Sequence, residues 1–203
     1  MKIDMKDYKR NHLFERYHKS ENAFIILTTK IDVTPVVEYC NKNKRFYATM
    51  GHLISKTVNE IDAFKYRYHD GELFYFDKVN PSFTQMYDDD TIGFFSVPYQ
   101  EDIKTFTKDF ITIQREHVDN KIFSQEKRLD EIWFSCVPWF KFTGLIPPYD
   151  KNVTIPQFVW DKYELEQDKY YVNLMIAVHH GFADGSHIGK FINTLQKHID
   201  EFK

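Results

Sequence analysis

Glycine is scarce in this chain, with 7 in 203 residues, and none falls in a G-x-G-x-x-G or Walker-type pattern. Dinucleotide and P-loop sites need such loops because backbone without Cβ brings successive N–H groups up to a phosphate, so both are excluded. Cysteine is scarcer, at 2. Cys40 falls in a helical pattern and Cys136 in an apolar strand pattern, which reads as two buried small hydrophobes without the spacing of a metal site or a disulfide framework. Positive charge is not in excess either: 27 Lys and Arg against 30 Asp and Glu leave a net charge of -3. With no basic stripe to neutralise successive phosphates, nucleic acid is excluded as a partner. No apolar run is long enough to cross a bilayer, and Met1 to Lys9 carries charge throughout, so neither a membrane span nor a targeting segment is expected and the expected location is cytoplasmic. No linker-like stretch, composition shift or repeat interrupts the chain. With 42% hydrophobic and 17% aromatic residues, it is expected to form one domain over residues 1–203 around one sizeable core.

What is present is an alternation of strand and helix patterns. Val172 to Val178 is a nearly unbroken apolar run of strand length, and Ile188, Phe191, Ile192, Leu195, Ile199 and Phe202 then recur at helical spacing. Thr34-Pro35 is a helix start, and Phe46, Met50, Leu53, Ile54, Val58 and Ile61 continue on a second helical face. Phe64 to Asp77 reads as a β-hairpin turning at His69-Asp70-Gly71. Phe83 to Tyr87, Phe94 to Tyr99 and Ile132 to Val137 read as strands, and Ile103 to Ile113 as a helix ending before Asn120. This order implies an α/β fold, a two-layer sandwich of a mixed β-sheet with helices, without specifying strand order.

The densest chemistry lies between the last strand and the last helix. His179-His180-Gly181-Phe182-Ala183-Asp184-Gly185-Ser186-His187 holds 3 of the 9 histidines, at a strand end of the kind that presents catalytic groups from a rigid scaffold. Imidazole ordinarily titrates near pH ~6.5, which suits proton exchange at cellular pH. Asp184 or Ser186 is placed to cap the helix. His179, His180, Asp184 and His187 also lie close enough in sequence to suggest metal ligands for a hydrolase, but the H-E-x-x-H spacing is absent and no cysteine pair completes the set, so no metal is expected.

His179-His180-x-x-x-Asp184-Gly185-x-His187 resembles the H-H-x-x-x-D-G-x-H signature of the type A chloramphenicol acetyltransferases, trimeric enzymes that move acetyl from acetyl-CoA to an alcohol. The resemblance runs along nearly the whole chain. Arg10 through Tyr17 resembles the family's R-x-x-x-F-x-x-Y opening and Thr29 to Thr34 its S-K-I-D-I-T segment. Pro81-Ser82-Phe83-Thr84, Pro98-Tyr99, Phe134-Ser135-Cys136-Val137-Pro138-Trp139 and Lys162-Tyr163 follow in matching order. The resemblance implies the chloramphenicol-acetyltransferase-like fold and a homotrimer with active sites at subunit interfaces. Acetyl-CoA would be co-substrate, and chloramphenicol or another small alcohol the acceptor, hence antibiotic resistance. By residue, it implies His180 as general base, Ser135 as the hydroxyl that stabilises the oxyanion, and Asp184 with Arg10 as a structural ion pair at the site. Tyr17, Phe24, Ile26 and Val159 fall at substrate-pocket positions.

The match has departures. Val159 stands where the family has a threonine that holds a water near the tetrahedral intermediate, Ser186 where it has a bulkier residue, and Gly181-Phe182-Ala183 where it commonly has A-V-C. The segment Gly144 to Ile155, with Pro147-Pro148, differs in length and composition from the loop that covers the acceptor. These departures leave open a family member that binds small molecules as a trimer with impaired turnover.

Overall fold

The computed structural model describes every residue except 44, 124–127, 149, 151 and 203, so Tyr149 and Lys151 of the departing segment lie outside the described residues. In chain order the strands are β1 (Lys2–Ile3), β2 (Phe24–Asp32), β3 (Tyr66–His69), β4 (Glu72–Tyr75), β5 (Asn80–Met86), β6 (Ile92–Ser96), β7 (Glu131–Val137), β8 (Gln157–Asp161), β9 (Glu164–Glu166) and β10 (Lys169–His179). The helices are α1 (Asn11–His18), α2 (Thr34–Asn43), α3 (Phe46–Asn59), α4 (Ile103–Asp119) and α5 (Gly185–Asp200). A mixed seven-stranded sheet runs in the order β2-β10-β8-β7-β5-β6, with β9 paired to β10. The β5–β7 and β7–β8 pairs are parallel; β2–β10, β10–β8 and β5–β6 are antiparallel.

The unbroken apolar run of β10 has a physical cause: both faces of the strand are covered. Leu174, Ile176 and Val178 enter the main core, which the helices close with Ile188, Phe191, Leu195 and Ile199 of α5 and Met50, Leu53, Ile54 and Val58 of α3. Met175 and Ala177 enter a smaller cluster with Ala23, Phe24, Phe142 and Val159. This is the architecture expected: helices on a mixed sheet, α/β.

The hairpin turn sits at Asp70-Gly71, where φ values of 49° and 83° give the doubly left-handed turn that fits strand twist and favours Gly at its second position. The hairpin stands outside the main sheet, forming with β1 a three-stranded sheet in the order β1-β4-β3. The expected strand Phe94 to Tyr99 instead ends at Ser96, just before Pro98, which has no N–H to give a ladder. Among the described residues no helix is long and apolar enough to cross a membrane.

Candidate active site

The site grows from the end of β10. His180 donates its backbone N–H to Ala23 O at 2.7 Å, and the chain then folds back on itself, with the Phe182 and Ala183 N–H groups reaching His179 O at 2.9 and 3.1 Å. Gly181 makes the turn. A Cβ there would lie 2.8 Å from Phe14 Cα and 3.0 Å from His179 Cε1, so only a residue without a side chain fits.

The two adjacent histidines have opposite environments. His179 is 2% exposed and lies within 6 Å, ring centre to ring centre, of Phe14, Phe24 and Phe182. Its Nδ1 accepts the Gly181 N–H at 3.1 Å, which pins the turn. Burial, reinforced by the neighbouring His18 and His180, lowers its pKa from 6.5 to about 4. The folded form therefore stays neutral while the unfolded chain takes up a proton below pH ~6.5. Stability from this group is fully present above that pH and falls by about 3 kcal/mol as the pH drops toward 4. Thermal melts of wild type and His179→Asn across pH 7 to 4 check this: the wild type is expected to lose more stability than the variant.

His180 is only partly buried. Its Nδ1 lies 3.2 Å from Ala183 O, and because a carbonyl can only accept, Nδ1 carries the hydrogen and Nε2 keeps its lone pair. Tyr17 stacks on the same ring, with centres 3.9 Å apart and planes 20° apart. The imidazole is thus oriented by two contacts with a proton-accepting nitrogen left over.

Asp184 begins α5 as its N-cap. Its Oδ1 accepts the Ser186 N–H at 3.0 Å, the Ser186 hydroxyl at 2.7 Å and His187 Nδ1 at 2.8 Å, while its Oδ2 lies 3.0 Å from Arg10 Nη1. Partial burial pushes this carboxyl up, but hydrogen bonds from Ser186, His187 and Arg10 outweigh it and hold the group well below the usual carboxylate range. Both functions weighed for Asp184, cap and ion pair, are present in one side chain. The pair ties the start of α1 to the start of α5 across the His180 turn. Side-chain exposures of 20% and 31% leave it partly screened, so Arg10→Ala is expected to cost only about 1 kcal/mol, lowering Tm by about 2–4 °C. Asp184→Ala is expected to cost about 1 kcal/mol more through the lost cap. Unchanged melts in both variants would show that the pair holds nothing in place.

Ser135 lies on β7, with its Oγ 3.1 Å from Thr84 Oγ1 on β5. Val159 stands directly opposite it on β8 and Met175 opposite Val159 on β10. Phe24, Val159, Met175 and Ala177 form the apolar lining of this sheet face, away from the main core. Beside them an open groove of about 710 Å³ runs along β2, lined by Asn22, Phe24, Ile26 and Thr28 against Thr143 and Leu145. Within one chain His180 and Ser135 are not neighbours. Ser135 is two strands from β10, about 10 Å, and its row crosses β10 at Met175, about 13 Å along the strand from His179.

Cys40 is buried and Cys136 partly buried, both as free thiols, and burial pushes the Cys136 thiol up to about 12, which leaves it inert as a nucleophile. Among the described residues no group of three or more His, Cys, Asp or Glu side chains is arranged to hold a metal ion. Sequence reasoning assigned no role to two groups in this region: the Ala183 carbonyl, which fixes the His180 tautomer, and Thr84, which bonds Ser135. Thr84 stands in the matching Pro81-Ser82-Phe83-Thr84 segment, but only strand order brings it beside Ser135.

A family model described as chloramphenicol acetyltransferase matches residues 1–196. Chloramphenicol acetyltransferase 3 of Escherichia coli is 32% identical over 209 residues, covering 97% of this chain and 95% of that protein. Chloramphenicol acetyltransferase 2 of the same organism is 30% identical over 213 residues, covering 98% and 96%. A solved chloramphenicol acetyltransferase structure superimposes with a TM-score of 0.84 at 19% identity, covering 98% of this chain and 100% of that one, and shares the fold. The chain therefore belongs to the chloramphenicol acetyltransferase family and is an acyltransferase.

Proposed function

We propose that this protein transfers acetyl from acetyl-CoA to a hydroxyl of chloramphenicol or a similar small alcohol, with His180 as general base. The observation that carries this reading is the His180 tautomer: Nδ1–H is committed to Ala183 O, so Nε2 is the nitrogen that can take a proton. An alcohol is a poor nucleophile until that proton leaves. Nε2 accepts it as the hydroxyl oxygen attacks the thioester carbonyl, and the Ser135 hydroxyl donates to the oxygen that becomes negative. Collapse breaks the C–S bond, the proton passes from Nε2 to the departing thiolate, and the ester and CoA leave. The site fits the two substrates: one imidazole nitrogen left to accept a proton, one hydroxyl donor, and a groove that mixes apolar Phe24, Ile26 and Leu145 with polar Asn22, Thr28 and Thr143, suited to an uncharged alcohol that also carries hydrogen-bonding groups.

The active unit is a homotrimer, with His180 of one subunit facing an acceptor pocket completed by its neighbour. Two observations favour this. The separation of His180 from Ser135 within one chain requires a second chain to bring base and oxyanion donor together. Trp139, Phe140 and Ile146, which are 62%, 59% and 76% exposed, present large apolar side chains in the segment after β7, and Ile146 lines the groove. The enzyme acts as a single domain in the cytoplasm, without metal, and confers resistance when chloramphenicol is its acceptor. Arg10 and Asp184 keep the His180 turn in place, Tyr17 stacks on the imidazole and contacts the acceptor, and Phe24 and Val159 line the acceptor side.

Thiol release from acetyl-CoA, followed against a panel of alcohols that includes chloramphenicol, tests the reading. Release is expected only when an acceptor is present, with sequential initial-velocity patterns. A burst of CoA without acceptor, or an acetylated protein residue on the pathway, would contradict direct transfer. A second reading, a trimer that binds but does not turn over, is favoured by Val159, which offers no polar atom opposite Ser135. It requires saturable chloramphenicol binding with no thiol released.

A further inference from the structure

Ser135 has one hydroxyl hydrogen, and its use as an oxyanion donor depends on where that hydrogen points. The strands on either side of it are unequal. On the β8 side stands Val159, which has no side-chain donor or acceptor. On the β5 side stands Thr84, whose Oγ1–H donates to Ser135 Oγ at 3.1 Å. Ser135 therefore receives a hydrogen bond, and among the described residues no group takes its own hydrogen, which is left for a group outside the chain.

Thr84 is itself held. Its Oγ1 and its backbone N both lie 3.2 Å from the Tyr47 hydroxyl, at the first turn of α3. Because Thr84 spends its single hydroxyl hydrogen on Ser135, Tyr47 is the donor of the first contact, and its oxygen accepts the Thr84 N–H in the second. The Tyr47 hydrogen is shared with Thr84 O at 3.2 Å and Phe134 O at 3.4 Å. Burial pushes the Tyr47 phenol well above its ordinary value, so it stays a donor. The ring is fixed between Phe83, Phe110 and Trp160.

We infer that Thr84 and Tyr47 are positioning residues for the acyl transfer, forming a hydroxyl chain Tyr47 to Thr84 to Ser135 that aims the Ser135 hydrogen at the developing oxyanion. This rests on the oxyanion role given to Ser135 above. Each bond in such a chain polarises the next, so the effect appears in the transition state rather than in substrate binding.

Thr84→Val, which keeps the shape and removes the hydroxyl, is expected to lower kcat about tenfold while KM for acetyl-CoA and the melting temperature stay near wild type. Thr84→Ser is expected to restore kcat to within about twofold. In a Ser135→Ala background, Thr84→Val is expected to cost nothing further, a coupling that a merely structural threonine would not produce. Thr84→Ala serves the same comparison should the valine variant not fold. A wild-type kcat in the hydroxyl-free variant, no rescue by serine, or an equal loss in the Ser135→Ala background overturns the inference. If Ser135→Ala is impaired while Thr84→Val is not, only the hydroxyl chain falls; if Ser135→Ala is fully active, the oxyanion role falls first.

Discussion

His180→Ala is expected to lower kcat for acetyl transfer by about 10²–10⁴-fold, the range that positioned proton transfer supplies. Fold and oligomeric state should survive the change. The side chain is only partly buried, and among the described residues its polar and ring contacts are one hydrogen bond to Ala183 O and a stack on Tyr17, so its loss leaves no buried charge unpaired. His179→Ala is the instructive contrast. That ring fills an aromatic pocket and holds the Gly181 N–H, so its removal is expected to destabilise the protein and to lower activity only through the fraction left folded. Steady-state kinetics paired with thermal melts separate the two histidines. Retained activity in His180→Ala would remove His180 from the base role, and equal melting losses in both variants would remove the contrast between the two rings.

Ser135→Ala is expected to be the next most damaging change, lowering kcat by about 10²-fold at nearly unchanged KM, since one oxyanion donor is typically worth about 3 kcal/mol. The hydroxyl makes one side-chain contact among the described residues, from Thr84, so the melting temperature should move little. A Ser135→Ala enzyme that instead raised KM and kept kcat would show that this hydroxyl binds substrate rather than stabilising the transition state.

The histidine segment was legible in the sequence because its signals are local. The apolar run of β10, the spacing of the α5 stripe and the acidic cap between them all fall within 31 residues of one another, and each is a pattern that a single element imposes on itself. The Asp70-Gly71 turn was legible for the same reason. Strands β2 and β8 and helix α1 could not be read from periodicity. β8 is five residues buried on both faces, so it shows no alternation, and its Asp161 is tolerated inside only because Lys141 and Asn173 meet it from other segments. α1 is eight residues long and packs by a single buried side chain, Phe14, too little for a helical stripe.

The Arg10–Asp184 pair joins residues 174 positions apart, and the Thr84–Ser135 bond joins residues 51 apart. No local pattern encodes either contact. The first was expected through resemblance alone; the second came only with the strand order. The separation of His180 from Ser135 within one chain was equally invisible in sequence, because it depends on β8 lying between β10 and β7.

The most direct measurement is a structure of the assembled protein with CoA and a bound alcohol, read at one distance. His180 Nε2 of one subunit is expected within about 2.6–3.2 Å of the acceptor hydroxyl, with the Ser135 hydroxyl of the facing subunit beside the thioester carbonyl. A ring turned away from the channel, or an acceptor seated with its hydroxyl beyond reach of that nitrogen, would contradict general-base transfer by His180.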